Sequence, residues 1–169
     1  AATFLLSKII PPVGGDTLFA NTQKAYEDLD DEMKLKIENL KVVHSAKLPY
    51  ADDGFYATET EKRSMKIITS KEAKKEQIHS LVKVHPETQK KGLFINPVYT
   101  SHIQGFNEEE SFLLLSKLYE HMTQEKYIYR HKWKENMLLM WDNRTVMHMA
   151  EGGYDGYDRL LHRITIANS

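Results

Sequence analysis

One histidine and two arginines near the end of the chain have the types and spacing of a site for a metal and an anion. His148 follows the apolar run 137–140 and the turn-forming residues 141–144, which predict that it lies on a short turn just past a strand. Arg159 and Arg163 are four positions apart, so their side chains share a face if both lie on one strand. Imidazole binds transition metals and guanidinium groups bind carboxylates, which makes these residues a candidate metal site beside an anion site.

Simpler interpretations of the same residues stay open. A histidine on a turn often hydrogen-bonds a backbone carbonyl and has no further role. Arg163 has three carboxylates nearby in the sequence that would pair with it, Asp142, Asp155 and Asp158. The residues alone therefore leave both a functional site and a set of ordinary ion pairs as hypotheses.

Composition excludes several other kinds of site. The chain has no cysteine, which rules out disulfides, thiolate catalysis and cysteine-based metal centres, so a metal must use His, Asp or Glu. A net charge of −1 gives no basic excess for nucleic acid. No apolar run reaches the roughly 18 residues of a membrane span, and residues 1–10 lack the features of a signal peptide, so a cytoplasmic protein is the default. At 169 residues the chain fits a single domain, 1–169.

Short strands and a few helices must position the candidate residues. Apolar runs and their flanking turn residues predict strands at 3–10, 18–20, 42–45, 81–85, 92–96, 127–133, 137–141 and 162–167. Helices are predicted at 22–29, at 31–40 with Asp30 or Asp31 as the cap, and from Asn107 to about 122 with Phe112 and Leu115 on the apolar face. This pattern favours a mainly β double-sheet fold with inserted helices, such as a jelly roll, over a doubly wound parallel sheet.

Residues 47–80 differ in character from the rest of the chain. Lysine, glutamate, threonine and serine dominate, and the apolar residues show no sustained period. Long segments of this kind inside compact domains often serve as lids or binding loops. We therefore expect a mobile lid or insert at 47–80, with a helical turn near 71–79.

The closing motif and several earlier segments resemble one family of enzymes. Trp141-Asp-Asn-Arg, followed by His148, Arg159, Arg163 and the strand Ile164-Thr-Ile, is similar to the C-terminal half of the taurine and 2,4-dichlorophenoxyacetate dioxygenases (TauD/TfdA). Other segments that match in the same order are Pro11-Pro12-x-Gly14-Gly15-Asp16-Thr17, Ala25-Tyr26, His44, Val84-His85-Pro86 and Leu93-Phe94-Ile95-Asn96. The resemblance covers nearly the whole chain and is weakest at 55–80.

The resemblance implies a distorted jelly roll, or double-stranded β-helix, that uses Fe(II), 2-oxoglutarate and O2. His148 matches the distal histidine of the family's 2-His-1-carboxylate iron site. Arg159 matches the residue that clamps the far carboxylate of 2-oxoglutarate through its guanidinium fork. Thr17 matches the hydroxyl that helps to hold the same carboxylate.

The resemblance also implies a small anionic substrate. Arg163 matches the arginine that meets an anionic group, which is the sulfonate in the taurine enzymes. Tyr50 and Tyr99 match positions where family members place aromatic residues against the substrate. The expected reaction is hydroxylation of a sulfonate, carboxylate or phosphonate compound with release of succinate and CO2. The oligomeric state stays open, and a homo-oligomer is compatible with the sequence.

The family's other two iron ligands have no counterpart in the chain. They lie in a His-x-Asp/Glu motif before the position that matches Ala1, and no His-x-Asp occurs in residues 1–169. His44, His85 and His102 match structural or peripheral positions of the family. We therefore expect the two N-terminal ligands, and the N-terminal part of the jelly roll, to lie outside these residues.

Other functions stay open on the same scaffold. Desaturation, halogenation and isonitrile formation are alternatives to hydroxylation, and halogenation would require a small residue in place of the carboxylate ligand. A non-catalytic jelly-roll protein that binds anions is a hypothesis of a different class. The residues before Ala1 would separate these functions, because His-x-Asp/Glu indicates oxygenation and His-x-Gly or His-x-Ala indicates halogenation.

Overall fold

Eleven short strands and five helices alternate along the part of the chain that the computed structural model describes, residues 2–58 and 67–166. The strands are β1 (Ala2–Ile9), β2 (Thr17–Asn21), β3 (Lys41–Ser45), β4 (Glu76–Ser80), β5 (Val82–Val84), β6 (Lys91–Leu93), β7 (Thr100–Ile103), β8 (Ile128–His131), β9 (Leu138–Asp142), β10 (Val146–Ala150) and β11 (Leu160–Ile166). The helices are α1 (Thr22–Glu27), α2 (Asp31–Ile37), α3 (Lys47–Tyr50), α4 (Phe55–Thr58) and α5 (Glu108–Met122), with 3-10 turns at Lys71–Lys74 and Glu125–Tyr127. The predicted mainly β fold with inserted helices is confirmed.

The first of two compact units comprises Ala1–Leu29, Val84–Gly92 and Glu120–Ser169. It contains two antiparallel sheets of three strands each. In one sheet β1 lies between β9 and β11, and in the other β2 lies between β8 and β10. The rings of Phe19 on β2 and Trp141 on β9 are in edge-to-face contact at 5.1 Å, so the inner faces of the two sheets meet at these rings.

The second unit comprises Asp30–Lys83 and Leu93–Tyr119, and its sheet has β3 between β4 and β7. Asp30 caps α2 as predicted, since its carboxylate accepts from the backbone N–H of Met33 at 2.7 Å. Asn107 and Glu110 form the expected capping box at the start of α5, at 2.8 and 3.2 Å. The predicted apolar face of α5 is confirmed at Leu115, which is buried, and is wrong at Phe112, which is 68% exposed. The buried residues of the helix are Ser111, Leu114, Leu115, Leu118 and Met122.

Several predicted boundaries need correction. The sequence predicted no strand at 76–80, yet β4 pairs with β3 along its whole length, after the helical turn at Lys71–Lys74. Residues of β4 are mostly exposed, so no apolar period marks the strand in the sequence. Part of the predicted lid, residues 59–66, lies outside the described residues, as does residue 167 at the end of the last predicted strand. The lid and the single-domain assignment stay predictions.

The helices of the described residues are short compared with the thickness of a lipid bilayer. The longest, α5, has 15 residues, whereas a membrane span needs about 20. Across residues 2–58 and 67–166, no helix combines the necessary length with the necessary apolarity.

Candidate active site

His148 lies within strand β10, and the prediction that it sits on a turn past a strand is wrong. Residues 142–145 form the turn instead, and β10 begins directly after it at Val146. On β10, His148 stands opposite Phe19 of β2, with ring centroids 6.1 Å apart. The indole ring of Trp141 meets the imidazole edge-on at 4.9 Å. The strand therefore places one face of the imidazole against two aromatic rings and leaves the rest of the side chain accessible.

The surroundings of His148 keep its imidazole neutral. Partial burial lowers the pKa of His148 from its usual value, and the nearby positive charge of Arg163 lowers it further. A neutral imidazole has a lone pair on one ring nitrogen, which is the form that binds a metal. His148 can therefore act as a metal ligand at neutral pH.

The Trp141-Asp-Asn-Arg motif holds the tryptophan ring in position. The Trp141 indole N–H donates to Asn143 Oδ1 at 2.9 Å, and Asn143 Nδ2 donates to Thr3 Oγ1 on β1 at 2.8 Å. This chain of hydrogen bonds joins the turn after β9 to the central strand of its sheet. It fixes the orientation of the indole ring against His148.

The carboxylate of Asp142, in the same motif, pairs with residues other than Arg163. Its carboxylate accepts from Arg144 Nη2 at 2.6 Å, and His85 Nε2 lies 3.0 Å from Oδ2. The Arg144 guanidinium is the main reason that the pKa of Asp142 is far below its usual value. The hypothesis that Arg163 pairs with Asp142 is therefore wrong. Glu87 approaches both Arg144 and His85 at 3.1 Å, so the single His-x-Glu sequence at 85–87 belongs to this ion-pair network.

Gly14 and Gly15 allow two loops to pack closely beside the site. Both residues have positive φ, at 67° and 71°. A Cβ atom on Gly14 would lie 2.5 Å from the backbone oxygen of Gly153, which is closer than real contacts allow. Backbone hydrogen bonds join the loops, from Gly15 N to Gly152 O at 3.0 Å and from Glu151 N to Asp16 O at 2.8 Å. The two glycines thus bring the start of β2 against the segment that precedes Arg159.

Arg159 is anchored to this glycine loop. It lies one residue before β11 begins, so the idea that it shares a strand with Arg163 does not hold. Its Nε donates to the backbone oxygen of Gly15 at 3.1 Å, which orients the guanidinium group. Burial lowers the pKa of Arg159, although a guanidinium stays charged at any physiological pH. Among the described residues, no carboxylate forms an ion pair with it, since Asp16 and Glu151 both pair with Arg130.

Arg163 lies on β11 opposite Leu5 of β1. Trp141 on β9 is opposite Thr3, and Thr3 and Leu5 are two positions apart, so Arg163 and Trp141 share one face of the sheet. The Arg163 side chain is exposed, and within the described ranges it has no ion-pair partner. A permanent cation without a protein carboxylate, on the face that carries Trp141, is suited to an anionic ligand.

Thr17 begins β2 and is 2% exposed. It lies two positions from Phe19, which is opposite His148, so Thr17 and His148 share the inner face of the second sheet. Its Oγ1 accepts a hydrogen bond from the Trp133 indole N–H at 3.0 Å. The first unit therefore combines four of the six predicted site residues: Thr17, His148, Arg159 and Arg163.

Tyr50 and Tyr99 belong to the second unit. Their rings stack with centroids 6.4 Å apart and an interplanar angle of 18°. Tyr50 also contacts the ring of Tyr56 at 5.3 Å. The two predicted aromatic residues are therefore neighbours, and their role toward a substrate stays a prediction.

Sequence reasoning missed three residues that hold the site together. Trp133, the last residue of the predicted strand 127–133, lies beyond the end of β8 at His131, where it is buried and donates to Thr17. Phe19 lies in the predicted strand 18–20 and Gly15 in a segment that resembles the family, but the sequence did not indicate their contacts with His148 and Arg159. Their partners are more than 100 residues away, and no local pattern indicates such a contact.

The described residues hold one candidate metal ligand. No group of three His, Asp or Glu side chains across 2–58 and 67–166 has the arrangement that a metal ion requires. His148 alone fits one position of a 2-His-1-carboxylate site. The residues present therefore fit the part of such a centre that binds a carboxylate. They do not supply a complete set of ligands for its metal.

Comparison with known proteins identifies the family. The family model "Taurine catabolism dioxygenase TauD, TfdA family" matches residues 1–165. An alkylsulfatase of Acinetobacter baylyi is 37% identical over 166 residues, which are 98% of this chain and 51% of that protein. The α-ketoglutarate-dependent 2,4-dichlorophenoxyacetate dioxygenase of a Burkholderia species is 36% identical over 149 residues, 86% of this chain and 46% of that protein. The chain spans about half the length of these relatives.

Solved structures agree with these matches. AAD-2 in complex with Mn(II) and N-oxalylglycine has a TM-score of 0.80 and 34% identity, over 96% of this chain and 61% of that chain. A taurine dioxygenase from Burkholderia xenovorans has a TM-score of 0.78 and 31% identity, over 96% and 50%. The distorted jelly roll expected from the sequence is confirmed by this similarity. With a family match over almost its whole length, the chain belongs to the TauD/TfdA family of dioxygenases.

Proposed function

We propose that the protein is an Fe(II)- and 2-oxoglutarate-dependent dioxygenase that hydroxylates a small anionic compound and releases succinate and CO2. The observation that carries this proposal is a pair of arginines, Arg159 and Arg163, for which residues 2–58 and 67–166 supply no ion-paired carboxylate. Both lie in the unit that also holds Thr17 and His148. Because guanidinium groups bind carboxylate, sulfate and sulfonate oxygens through charge-assisted hydrogen bonds, this arrangement suits two anionic ligands.

Arg159 and Thr17 are suited to the far carboxylate of 2-oxoglutarate. The hydrogen bond from Arg159 Nε to Gly15 O leaves the terminal N–H groups of the guanidinium available for a carboxylate. Thr17 adds a hydroxyl donor two residues further along the same segment. The binding of one carboxylate by two fixed donors would orient the co-substrate.

His148 would supply one ligand to the metal. When iron and 2-oxoglutarate are bound, they activate O2 for the oxidation of a C–H bond, and this chemistry belongs to the cofactors. The residues described here bind and orient the reactants. Phe19 and Trp141 cover one side of the imidazole and keep water from it.

Arg163 is suited to the anionic group of the substrate. The similar proteins are named for alkyl sulfates, sulfate esters, sulfonates and 2,4-dichlorophenoxyacetate, all of which carry a negative charge. We infer that the substrate is a sulfate ester, sulfonate or aryloxyacetate. Tyr50 and Tyr99 are candidates for contacts with its apolar part.

The test of this function is substrate-dependent release of succinate by the full-length protein with Fe(II), ascorbate and 2-oxoglutarate. The panel would contain alkyl sulfates, alkylsulfonates and aryloxyacetates. Succinate formation that depends on one of these classes supports the proposal. If 2-oxoglutarate binds but no panel member stimulates turnover, the substrate class is wrong. If 2-oxoglutarate does not bind at all, the proposed function itself is wrong.

A non-catalytic anion-binding protein is the second candidate. The observation that favours it is the single metal ligand among the described residues. Such a protein would bind dicarboxylates through Arg159 and sulfates or sulfonates through Arg163 without forming succinate. The same panel, measured by binding as well as by turnover, separates the two functions.

A further inference from the structure

The hydroxyl group of Thr17 is buried and has a fixed donor. Trp133 Nε1 donates to Thr17 Oγ1 at 3.0 Å, and both side chains are at least nine-tenths buried, at 7% and 2% exposed. We propose that Trp133 is a positioning residue that directs the Thr17 hydroxyl proton toward the far carboxylate of 2-oxoglutarate. This inference rests on the proposed function, because it concerns the same carboxylate.

The chemistry of the two groups determines the direction of the proton. An indole N–H can only donate, so Thr17 Oγ1 must be the acceptor in this bond. A threonine hydroxyl that accepts one bond still has one proton to donate. In the described part of the chain, the Thr17 hydroxyl has no acceptor for that proton. A buried donor without a partner costs free energy, which an incoming carboxylate would recover.

The indole ring is itself held by its neighbours. The His131 ring meets Trp133 edge-on, with centroids 4.5 Å apart and an interplanar angle of 82°. His131 is buried on β8, directly opposite Thr17 on β2. Strand pairing therefore fixes the backbone of His131 relative to that of Thr17, and the buried His131 ring packs against the indole that donates to Thr17.

The test compares two ligands that differ only in the far carboxylate. The ligands are 2-oxoglutarate and 2-oxopentanoate, titrated into the full-length protein with Zn(II) as a redox-inactive metal. The variants are Trp133→Phe, Thr17→Val and the double variant. Tyr127→Phe is the control, since it removes a buried aromatic donor, with its 3.2 Å bond to Asp28, elsewhere in the same unit.

We expect Trp133→Phe to weaken 2-oxoglutarate binding by about 3- to 10-fold, the effect of one hydrogen bond. Binding of 2-oxopentanoate should not change, and in the Thr17→Val background Trp133→Phe should have no further effect. Equal loss for both ligands, or the same loss with and without the Thr17 hydroxyl, would overturn the inference and indicate a general packing role. If the wild-type protein does not prefer 2-oxoglutarate over 2-oxopentanoate, the proposed carboxylate site fails as well.

A second measurement does not depend on the folding of Trp133→Phe. Residues 1–169 contain two tryptophans, Trp133 and Trp141, and the Trp133 indole N–H resonance can be followed by NMR. The Trp133 resonance should shift on addition of 2-oxoglutarate, but not of 2-oxopentanoate, and the difference should disappear in Thr17→Val. An identical shift with both ligands would contradict the positioning role.

Discussion

Replacement of Gly15 by alanine should displace Arg159 and weaken the binding of 2-oxoglutarate. Gly15 has a φ of 71°, and an added Cβ would lie 3.0 Å from both Cδ and Nε of Arg159. Ordinary contacts are longer by several tenths of an ångström, so the guanidinium must move and its bond to Gly15 O must lengthen. A hydrogen bond from a charged group contributes about 1.5–3 kcal/mol. Loss of half of that is about 1 kcal/mol, and we expect the Kd for 2-oxoglutarate to rise about 5- to 10-fold.

The matched control for this variant is Gly105→Ala. Gly105 also has a positive φ, 85°, but a Cβ there meets nothing within 4 Å. An alanine in this conformation costs about 1–2 kcal/mol in either variant, which corresponds to roughly 2–8 °C in Tm for a domain of this size. Calorimetric titration with 2-oxoglutarate should distinguish the two variants. Gly105→Ala should lose thermal stability but keep its affinity for 2-oxoglutarate, whereas Gly15→Ala should lose both. Unchanged affinity in Gly15→Ala would refute the role assigned to the contact between Gly15 and Arg159.

The remaining predictions concern the two arginines and two histidines. Arg159→Ala should raise the KM for 2-oxoglutarate at least 10-fold. Arg163→Ala should instead raise the KM for the anionic substrate. Steady-state kinetics with each compound varied in turn measure both effects, and the reverse pattern would show that the two roles are exchanged. His148→Ala should remove metal-dependent turnover, and retained activity would show that another residue is the ligand. Burial is the main cause that lowers the pKa of His44 to about 4. Between pH 6.5 and pH 4 the unfolded chain therefore binds a proton that the folded chain does not. This difference should reduce the free energy of unfolding by up to about 3 kcal/mol as the pH falls from 6.5 to 4. The free energy of unfolding, measured with urea, should fall less between pH 6.5 and pH 4 for His44→Gln than for the wild-type protein. An equal fall in both proteins would contradict the lowered pKa of His44.

The sequence predicted the strands that carry regular apolar patterns and the helices that carry caps. Asp30 and the Asn107–Glu110 capping box act through local hydrogen bonds, which is why three or four residues were enough to find them. Strand β4 was missed because its residues are mostly exposed, and its pairing with β3 is what makes it a strand. Phe112 was placed on the wrong face because α5 buries Ser111, whose hydroxyl accepts from the backbone of Ile103.

Among the site residues, the chemical types were predictable and their positions were not. His148, Arg159, Arg163 and Thr17 were identified by type, order and resemblance. The turn before His148 was placed too late, because the residues of β10 are partly exposed and resemble a loop in sequence. Strand pairing with β2 overrides that local preference, since the register sets His148 opposite Phe19.

Three hydrogen bonds that position the site join residues that are distant in sequence. Arg159 is held by Gly15, Thr17 by Trp133, and the Asn143 that orients Trp141 by Thr3. Each pair joins the β1–β2 segment to the last forty residues of the chain. A ligand group can therefore be correctly oriented only after both sheets of the first unit have formed, because these hydrogen bonds have no local substitute. A local motif can specify which atoms bind a carboxylate, whereas their orientation is a property of the assembled sheets.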